Sequence, residues 1–323
     1  MRVLVTGGSG FIGTRTVDHL LRDGADVLNV DRAAPNKEEH RPHWRPCDIL
    51  DVEPVLEAFA DFAPTHVVHL AARVDTDSPR LNDYRVNTDG TANVLEAIDA
   101  TPGIERVVVT STQFVCTPGH PPTHDQEFNP HTAYGQSKVR TEQLTRAADL
   151  TPVWTIIRPT NVWGPWHPRY PSQFWRVLRD GRYVHPDSPE PVLRSYGYVG
   201  NVVYQIGEIL TAPVEQVDRK VYYVGDRPIE LLDYVNGFSR AITGQNVRVV
   251  PRGVIRALAL AGDLLTALGV AFPLQSSRFR SMTEDDPTPM EPTMEAFGEP
   301  PYSMEDGIRE TTQWLRRQGF FST

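Results

Sequence analysis

The sequence is poor in the residues that would make it a disulfide-stapled, metal-clustered or nucleic-acid-binding protein. Its two cysteines, Cys47 and Cys116, lie far apart without CxxC or Cys/His spacing. Neither a disulfide framework nor a zinc site is therefore indicated, and no metal is expected. Positive charge is in deficit: 32 basic residues face 41 acidic ones, a net charge of -9. A phosphate backbone needs a basic face, so no nucleic-acid partner is expected. Lysine is scarcer still, with three lysines beside 29 arginines. No secretory leader is recognisable, because the apolar run starting at Val3 meets glycine by residue 7. The longest apolar stretch, Ala257 to Leu274, is broken by Gly262, Asp263, Gly269 and Pro273. A charge at mid-span costs on the order of 2.5 kcal/mol or more, so the stretch is expected to be an ordinary amphipathic helix and turn, not a membrane span. A reducing, cytoplasmic setting is expected.

At 323 residues the chain suits one or two domains. Through about residue 160, short β-branched runs alternate with longer helical patterns, which predicts βαβ units and a parallel sheet. Strands are expected at Arg2–Val5, Ala25–Asn29, His66–Leu70, Arg106–Thr110 and Trp154–Ile157. The intervening helices are expected at Phe11–Arg22, Pro54–Phe62, Leu81–Ala100 and Thr132–Ala148. Gly24 and Gly103 stand where helices should stop. After Pro159 the composition shifts to dense proline, tryptophan and arginine. The expected fold class is thus α/β: a doubly wound Rossmann sheet over residues 1–160 and a smaller α/β lobe over 161–323, with some later segments returning to the sheet. Later elements are a strand at Lys220–Val224 and helices at Leu231–Thr243 and Ser303–Arg317.

The segment Thr6-Gly-Gly-Ser-Gly-Phe-Ile-Gly13 follows an apolar strand and opens a helix, the context in which a glycine pattern means a dinucleotide site. Gly7 permits a tight turn, Gly10 lets backbone approach a pyrophosphate, and Gly13 allows close helix–strand packing. Phe11 and Ile12 begin the helix, whose N-terminal N–H groups and dipole attract phosphate. Asp31 stands after the second strand, placed to accept hydrogen bonds from the adenosine ribose, which favours NAD. Arg32 beside it is the residue that would meet the extra phosphate of NADP.

Tyr134 and Lys138 lie one helical turn apart on one face of a predicted helix. A tyrosine has a reference pKa of about 10, and lowering it three units costs roughly 4 kcal/mol, which a neighbouring cation can supply. Such a pair alone is usually a solvated helix face. Ser111-Thr112 at a strand end, Asn87 on the preceding helix and the scarcity of lysine lift it above that reading.

With these in place, the chain resembles an extended short-chain dehydrogenase/reductase of the NAD-dependent epimerase/dehydratase family. The resemblance rests on TGGSGFIG (6–13), Asp31, CDIL (47–50), HLAA (69–72), NTDGTANVLEA (87–97), TSTQFVC (110–116), YGQSK (134–138) and RPTNVWGP (158–165). It implies Tyr134 as acid/base, Lys138 as its tuner and ribose anchor, and Thr112 as hydroxyl partner to the substrate. It further implies Asp48 and Ile49 by the adenine, Leu70, Ala71 and Ala72 along the cofactor, Asn87 among the cofactor residues and Thr160 near the nicotinamide. In the nucleotide-sugar branch Asn161 and Arg194 would contact the nucleotide diphosphate; an ion pair is the plainer reading of Arg194. The family's sugar-nucleotide dehydratases carry Asp-Glu where this chain has Gln113 and Phe114, so 4-epimerisation or carbonyl reduction is expected over water elimination. Two other readings stand beside a nucleotide-sugar enzyme. One is a 3β-hydroxysteroid dehydrogenase, for Tyr198-Val-Gly-Asn-Val202 and the 257–274 stretch. The other is an NAD sensor without turnover. His167 is either a second acid/base or a packing residue, and Trp163, Trp166 and Trp175 either stack on a base or fill a core. The family's habit implies a homodimer through the helices near 81–100 and 132–148.

Overall fold

Along Arg2–Thr6 every residue after the first is buried, so this strand has no solvent face and its side chains must fill two cores. Leu4 points into one core, with Val30, Val67, Val107 and Ile156. Val3 and Val5 point into the other, with Val27, Val68, Val108 and Ile157. This period of two, repeated on neighbouring strands, is what a sheet covered on both faces demands. The computed structural model describes residues 1–321 apart from 121, 271 and 273. Pro273, one of the residues set against a membrane span, lies outside the described residues.

Seven parallel strands form the sheet: β1 (Arg2–Thr6), β2 (Asp26–Asp31), β3 (Trp44–Pro46), β4 (His66–His69), β5 (Arg106–Thr110), β6 (Val153–Pro159) and a late strand at Lys220–Val224. The order across it is the late strand, β6, β5, β4, β1, β2, β3. Order reverses on either side of β1, where β1 pairs with both β2 and β4. Helices α2 (Val52–Phe62) and α3 (Arg85–Ala100) bury Phe59, Val94 and Ile98 on one face. Helix α4 (Ala133–Ala147) packs Leu144 against the same core. The other face is covered by α1 (Phe11–Arg22), through Val17 and Leu20, and by the Val199–Thr211 helix, through Val202 and Ile206. Each such apolar side chain contributes about 1.5–3 kcal/mol on burial.

Several boundaries differ from the sequence expectation. The second strand runs on to Asp31, so Asp31 closes the strand instead of following it. Helix α3 begins at Arg85; Leu81–Tyr84 is a separate 3-10 turn, because Asp83 is drawn back to the Ser78 hydroxyl. Strand β3, three residues ending in a proline, carries no periodicity and was not expected. Gly24 and Gly103 both adopt positive φ, +77° and +85°.

The chain divides into two compact units, and neither is continuous. The first comprises Met1–Val162, Gly197–Asp226 and Thr288–Pro301; the second comprises Trp163–Tyr196, Arg227–Pro287 and Tyr302–Thr323. In the second unit, short ladders join Val184–Pro186 to Arg248–Val250 and Leu193–Arg194 to Ile229–Glu230. Its interior is aromatic: Trp163 and Trp175 are fully buried, and Phe238 lies edge-on to Trp163 at 5.2 Å. Those two tryptophans therefore fill a core. Trp166 packs on Trp314 at 5.6 Å. The closing helix, Met304–Arg317, is fixed by a capping box between Ser303 and Asp306. Among the described residues, no helix is long and apolar enough to cross a membrane.

Candidate functional site

In an open parallel sheet, ligands bind beyond the carboxyl ends of the strands where the order reverses. The first-unit residues singled out in the sequence gather at those ends. The 6–13 turn follows β1, Asp31 ends β2, and Asp48 and Ile49 follow β3. Leu70, Ala71 and Ala72 follow β4, Thr112 follows β5, and Thr160 and Asn161 follow β6. The sheet turns six separate stretches of sequence into one edge.

The glycine turn is closed by steric necessity. Gly7 has φ +76°, and a Cβ there would lie 2.6 Å from the Ala71 nitrogen. A Cβ on Gly13 would fall 2.1 Å from the Gly7 carbonyl oxygen. Gly10 is different: a Cβ would meet only the Gly7 oxygen, at 3.2 Å, so the space beyond it is open for a ligand to approach backbone. Helix α1 then starts with neither a side-chain cap nor an acidic residue in its first turn, leaving its positive end for an anion. The Asp31 carboxylate accepts the Ser9 N–H at 3.0 Å and the Ala33 N–H at 2.9 Å, which aims it at the turn; Arg32 is exposed. These features fit a dinucleotide.

Sequence reasoning missed the second layer of this turn. Gly8 has no room either, since a Cβ there would lie 2.4 Å from Asn29 Oδ1. Asn36 donates to the Ser9 carbonyl at 2.8 Å and to the Thr14 hydroxyl at 2.9 Å. Beneath it, the His69 ring sits between the hydroxyls of Thr6 at 2.7 Å and Thr91 at 3.1 Å. Burial pushes this imidazole down to about 3, so it is neutral.

Tyr134 and Lys138 lie one turn apart on α4, which starts where the Thr132 hydroxyl accepts the Gly135 N–H. Both are buried. Tyr134 packs between Tyr84 and Phe114, with ring centroids 6.1 and 6.3 Å away. The Lys138 ammonium donates to the Thr110 carbonyl at 2.8 Å, and burial pushes it down to about 8. Glu142, one turn further on, works against that shift. Its fully buried carboxylate accepts from Ser111 Oγ at 2.6 Å and from Arg158 at 2.8 and 2.9 Å. The two adjacent hydroxyls thereby part company: Ser111 is spent on Glu142, whereas the Thr112 oxygen accepts only the Phe114 N–H, at 3.3 Å. Among the described residues, the Thr112 hydroxyl proton has no acceptor.

Asn87 uses both ends of its side chain internally. It accepts the Arg73 N–H at 2.8 Å and donates to the Arg73 carbonyl at 3.0 Å and to Ser137 Oγ at 2.8 Å. It thus ties the stretch after β4 to the residue preceding Lys138. Asp48 accepts the Leu50 N–H, and Ile49 is buried against Gly90. The Thr160 hydroxyl is buried without a partner.

Arg194 stands apart in the second unit, where it pairs with Asp286 at 3.2 Å, both side chains nearly buried. Its Nη1 donates to the Glu284 carbonyl at 3.3 Å, and its Nε is buried without a partner. His167 accepts the N–H groups of Arg169 and Tyr170 at 3.2 and 3.0 Å. Burial drives it down to about 3, so it closes its own loop as a neutral ring.

Known proteins show the same frame. The UDP-glucose 4-epimerase of Mycolicibacterium smegmatis is 33% identical over 182 residues, 51% of this chain and 57% of its own; the match spans little more than half of that relative. A 3-beta-hydroxysteroid dehydrogenase of Mycolicibacterium neoaurum is 27% identical across 80% of this chain and 75% of its own. The Thermus thermophilus UDP-glucose 4-epimerase, solved in complex with NAD, superposes with a TM-score of 0.71 at 27% identity, covering 98% of this chain and 99% of that one. A model of the NAD dependent epimerase/dehydratase family matches residues 3–225. With the glycine turn, the carboxyl-end edge and the buried Tyr134/Lys138 pair in the same segment, the chain belongs to the NAD dependent epimerase/dehydratase family.

Proposed function

We propose that this chain is an NAD-dependent nucleotide-sugar epimerase or keto-sugar oxidoreductase, with Tyr134 as its acid/base. The observation that carries the reading is the arrangement around α4: a buried tyrosine one turn from a desolvated lysine that holds the Thr110 carbonyl, two residues before a threonine hydroxyl whose proton has no acceptor among the described residues. NAD, when bound, supplies the hydride acceptor. Tyr134 takes the proton of the sugar carbinol, while the positive charge of Lys138 favours its phenolate. Thr112 donates to the carbinol oxygen and holds it in place. Gly7, Gly10, Phe11, Ile12 and Gly13 would receive the pyrophosphate. Asp48 and Ile49 would flank the adenine, Leu70 to Ala72 would line the cofactor, Asn87 would hold that stretch in place, and Thr160 would face the nicotinamide. NAD is preferred over NADP because the oriented Asp31 carboxylate would repel a ribose phosphate, exposed Arg32 notwithstanding. Asn161 and Arg194 are each proposed for the nucleotide diphosphate, since a guanidinium suits a phosphate. Gln113 and Phe114, in place of an acid pair, favour epimerisation or reduction over dehydration. A cytoplasmic homodimer through α3 and α4 is part of the same proposal.

The test is turnover and thermal shift across UDP-, GDP-, CDP- and dTDP-sugars, with sterols alongside. A sugar nucleotide should be turned over by the native chain and not by Tyr134→Phe, which should still bind NAD. Stabilisation by sterols alone would favour the second reading, a hydroxysteroid dehydrogenase, which the long match to the M. neoaurum enzyme keeps in play. Full activity of Tyr134→Phe would sink both; NAD binding without turnover of anything would leave the sensor.

A further inference from the structure

The Arg252–Ala267 helix is apolar on its exposed side as well as its buried one. Ile255, Ala259 and Gly262 form its buried line. On a helix of 3.6 residues per turn, the opposite half of the circumference then carries only glycine, alanine, valine and leucine. Leu260, Leu264 and Leu268 are 58%, 65% and 72% exposed, and Val254 and Val270 are half exposed. A solvent-facing helix surface ordinarily carries the polar residues; among the described residues, nothing in this chain covers this one.

Charge says what would cover it. Between residues 248 and 283 the chain has Arg248, Arg252, Arg256, Arg278 and Arg280, all exposed, against one acid, in a protein whose net charge is -9. That acid, Asp263, is turned to local use, accepting the Ser276 N–H at 3.1 Å and the Ser276 hydroxyl at 2.5 Å. Arg252 and Arg256 border the apolar half, and the Arg252 guanidinium lies 5.7 Å from the Phe279 ring centre. A second copy is a poor occupant. A two-fold contact sets each patch against itself, bringing the arginine fringes together, and the face has no aromatic anchor. An anionic lipid surface satisfies both halves at once, with leucines at the acyl boundary and guanidinium groups among headgroup phosphates.

We infer that this face docks the protein on the surface of an anionic phospholipid bilayer, the helix lying in the plane of the interface. The inference stands whichever substrate the site takes.

Flotation of the full chain with vesicles of equal parts phosphatidylglycerol and phosphatidylcholine tests it, with phosphatidylcholine alone as the second arm. The protein should float with the anionic vesicles, hardly with the neutral ones, and come off as salt rises. Leu264→Glu with Leu268→Glu, both exposed and so tolerated by the fold, should lower vesicle affinity at least about tenfold at an unchanged thermal transition. Arg252→Gln with Arg256→Gln should lower it about tenfold on anionic vesicles only. Failure of the native chain to float overturns the inference. So does a native dimer that the double glutamate variant splits into monomers in the absence of any vesicle binding, which would hand the face to a second copy.

Discussion

The two units are held together by different chemistry. In the first, buried polar groups stand beside the apolar cores: Arg158, Glu142, Ser111, Lys138 and His69 are all buried, and each is matched by hydrogen bonds to named partners. In the second, Trp163, Trp175, Tyr234 and Phe238 pack ring against ring, with Trp163 edge-on to both Tyr234 and Phe238. Directional polar contacts fix atoms to within a bond length, which proton transfer requires; aromatic packing fixes volume, which suits a part whose role is shape. The chemistry of the family belongs to the first kind of interior.

The largest effects should come from the two cores. Arg158→Met leaves the buried Glu142 carboxylate with only Arg146, at 3.0 Å, and Ser111 as partners and should cost about 3 kcal/mol of stability, most of it restored by adding Glu142→Met. Trp175→Ala should cost a similar 3–5 kcal/mol by opening a cavity that no second charge change repairs. Chemical denaturation of the three variants reads this, and an unrescued Arg158→Met would erase the contrast. Tyr134→Phe should lower kcat by about 10²- to 10⁴-fold while leaving the melting temperature and NAD affinity close to native, measured by steady-state kinetics and calorimetry. Gly13→Ala, with its Cβ set against the Gly7 oxygen, should cost about 3 kcal/mol and abolish NAD binding in titration.

A smaller effect concerns pH. Asp226 is partly buried where it accepts the Tyr198 N–H and the Asn201 amide, and desolvation pushes its carboxyl up to about 6. A raised acid favours folding while protonated, so its contribution is full below the unfolded value near 4 and is lost as pH climbs through about 6. Asp226→Asn should remove a slope on the order of 2 kcal/mol between those limits. Thermal melts of both proteins across that range would show it, and parallel profiles would argue against it.

Much of this was legible beforehand, for reasons that can be named. The sheet announced itself because strands buried on both faces must be β-branched runs, as in Arg106–Thr110. The glycine turn was legible because its constraints are steric and local. What escaped was pairing at a distance. Nothing in the sequence says that Glu142 meets Arg158, or that Ser111 is consumed while its neighbour Thr112 is spared. Asn87 reads as a cofactor residue, but nothing in the sequence says that its amide also holds Arg73 and Ser137. For the Arg252–Ala267 helix, periodicity reveals an amphipathic segment but not which side is turned outward, since that depends on what the rest of the chain puts against it.

The interrupted path of the first unit bears on how the protein is made. Its edge strand, Lys220–Val224, is separated from its neighbour β6 by a stretch of the second unit, and its last segment ends at Pro301. At about 5–20 residues per second, a ribosome exposes β6 several seconds before the strand that will cover it. During that interval Val153–Pro159 is an apolar strand with an open edge, the form most prone to pair with another chain. Expression yield should therefore depend on chaperone supply and on translation speed between residues 160 and 224, even in variants whose finished fold is unaltered.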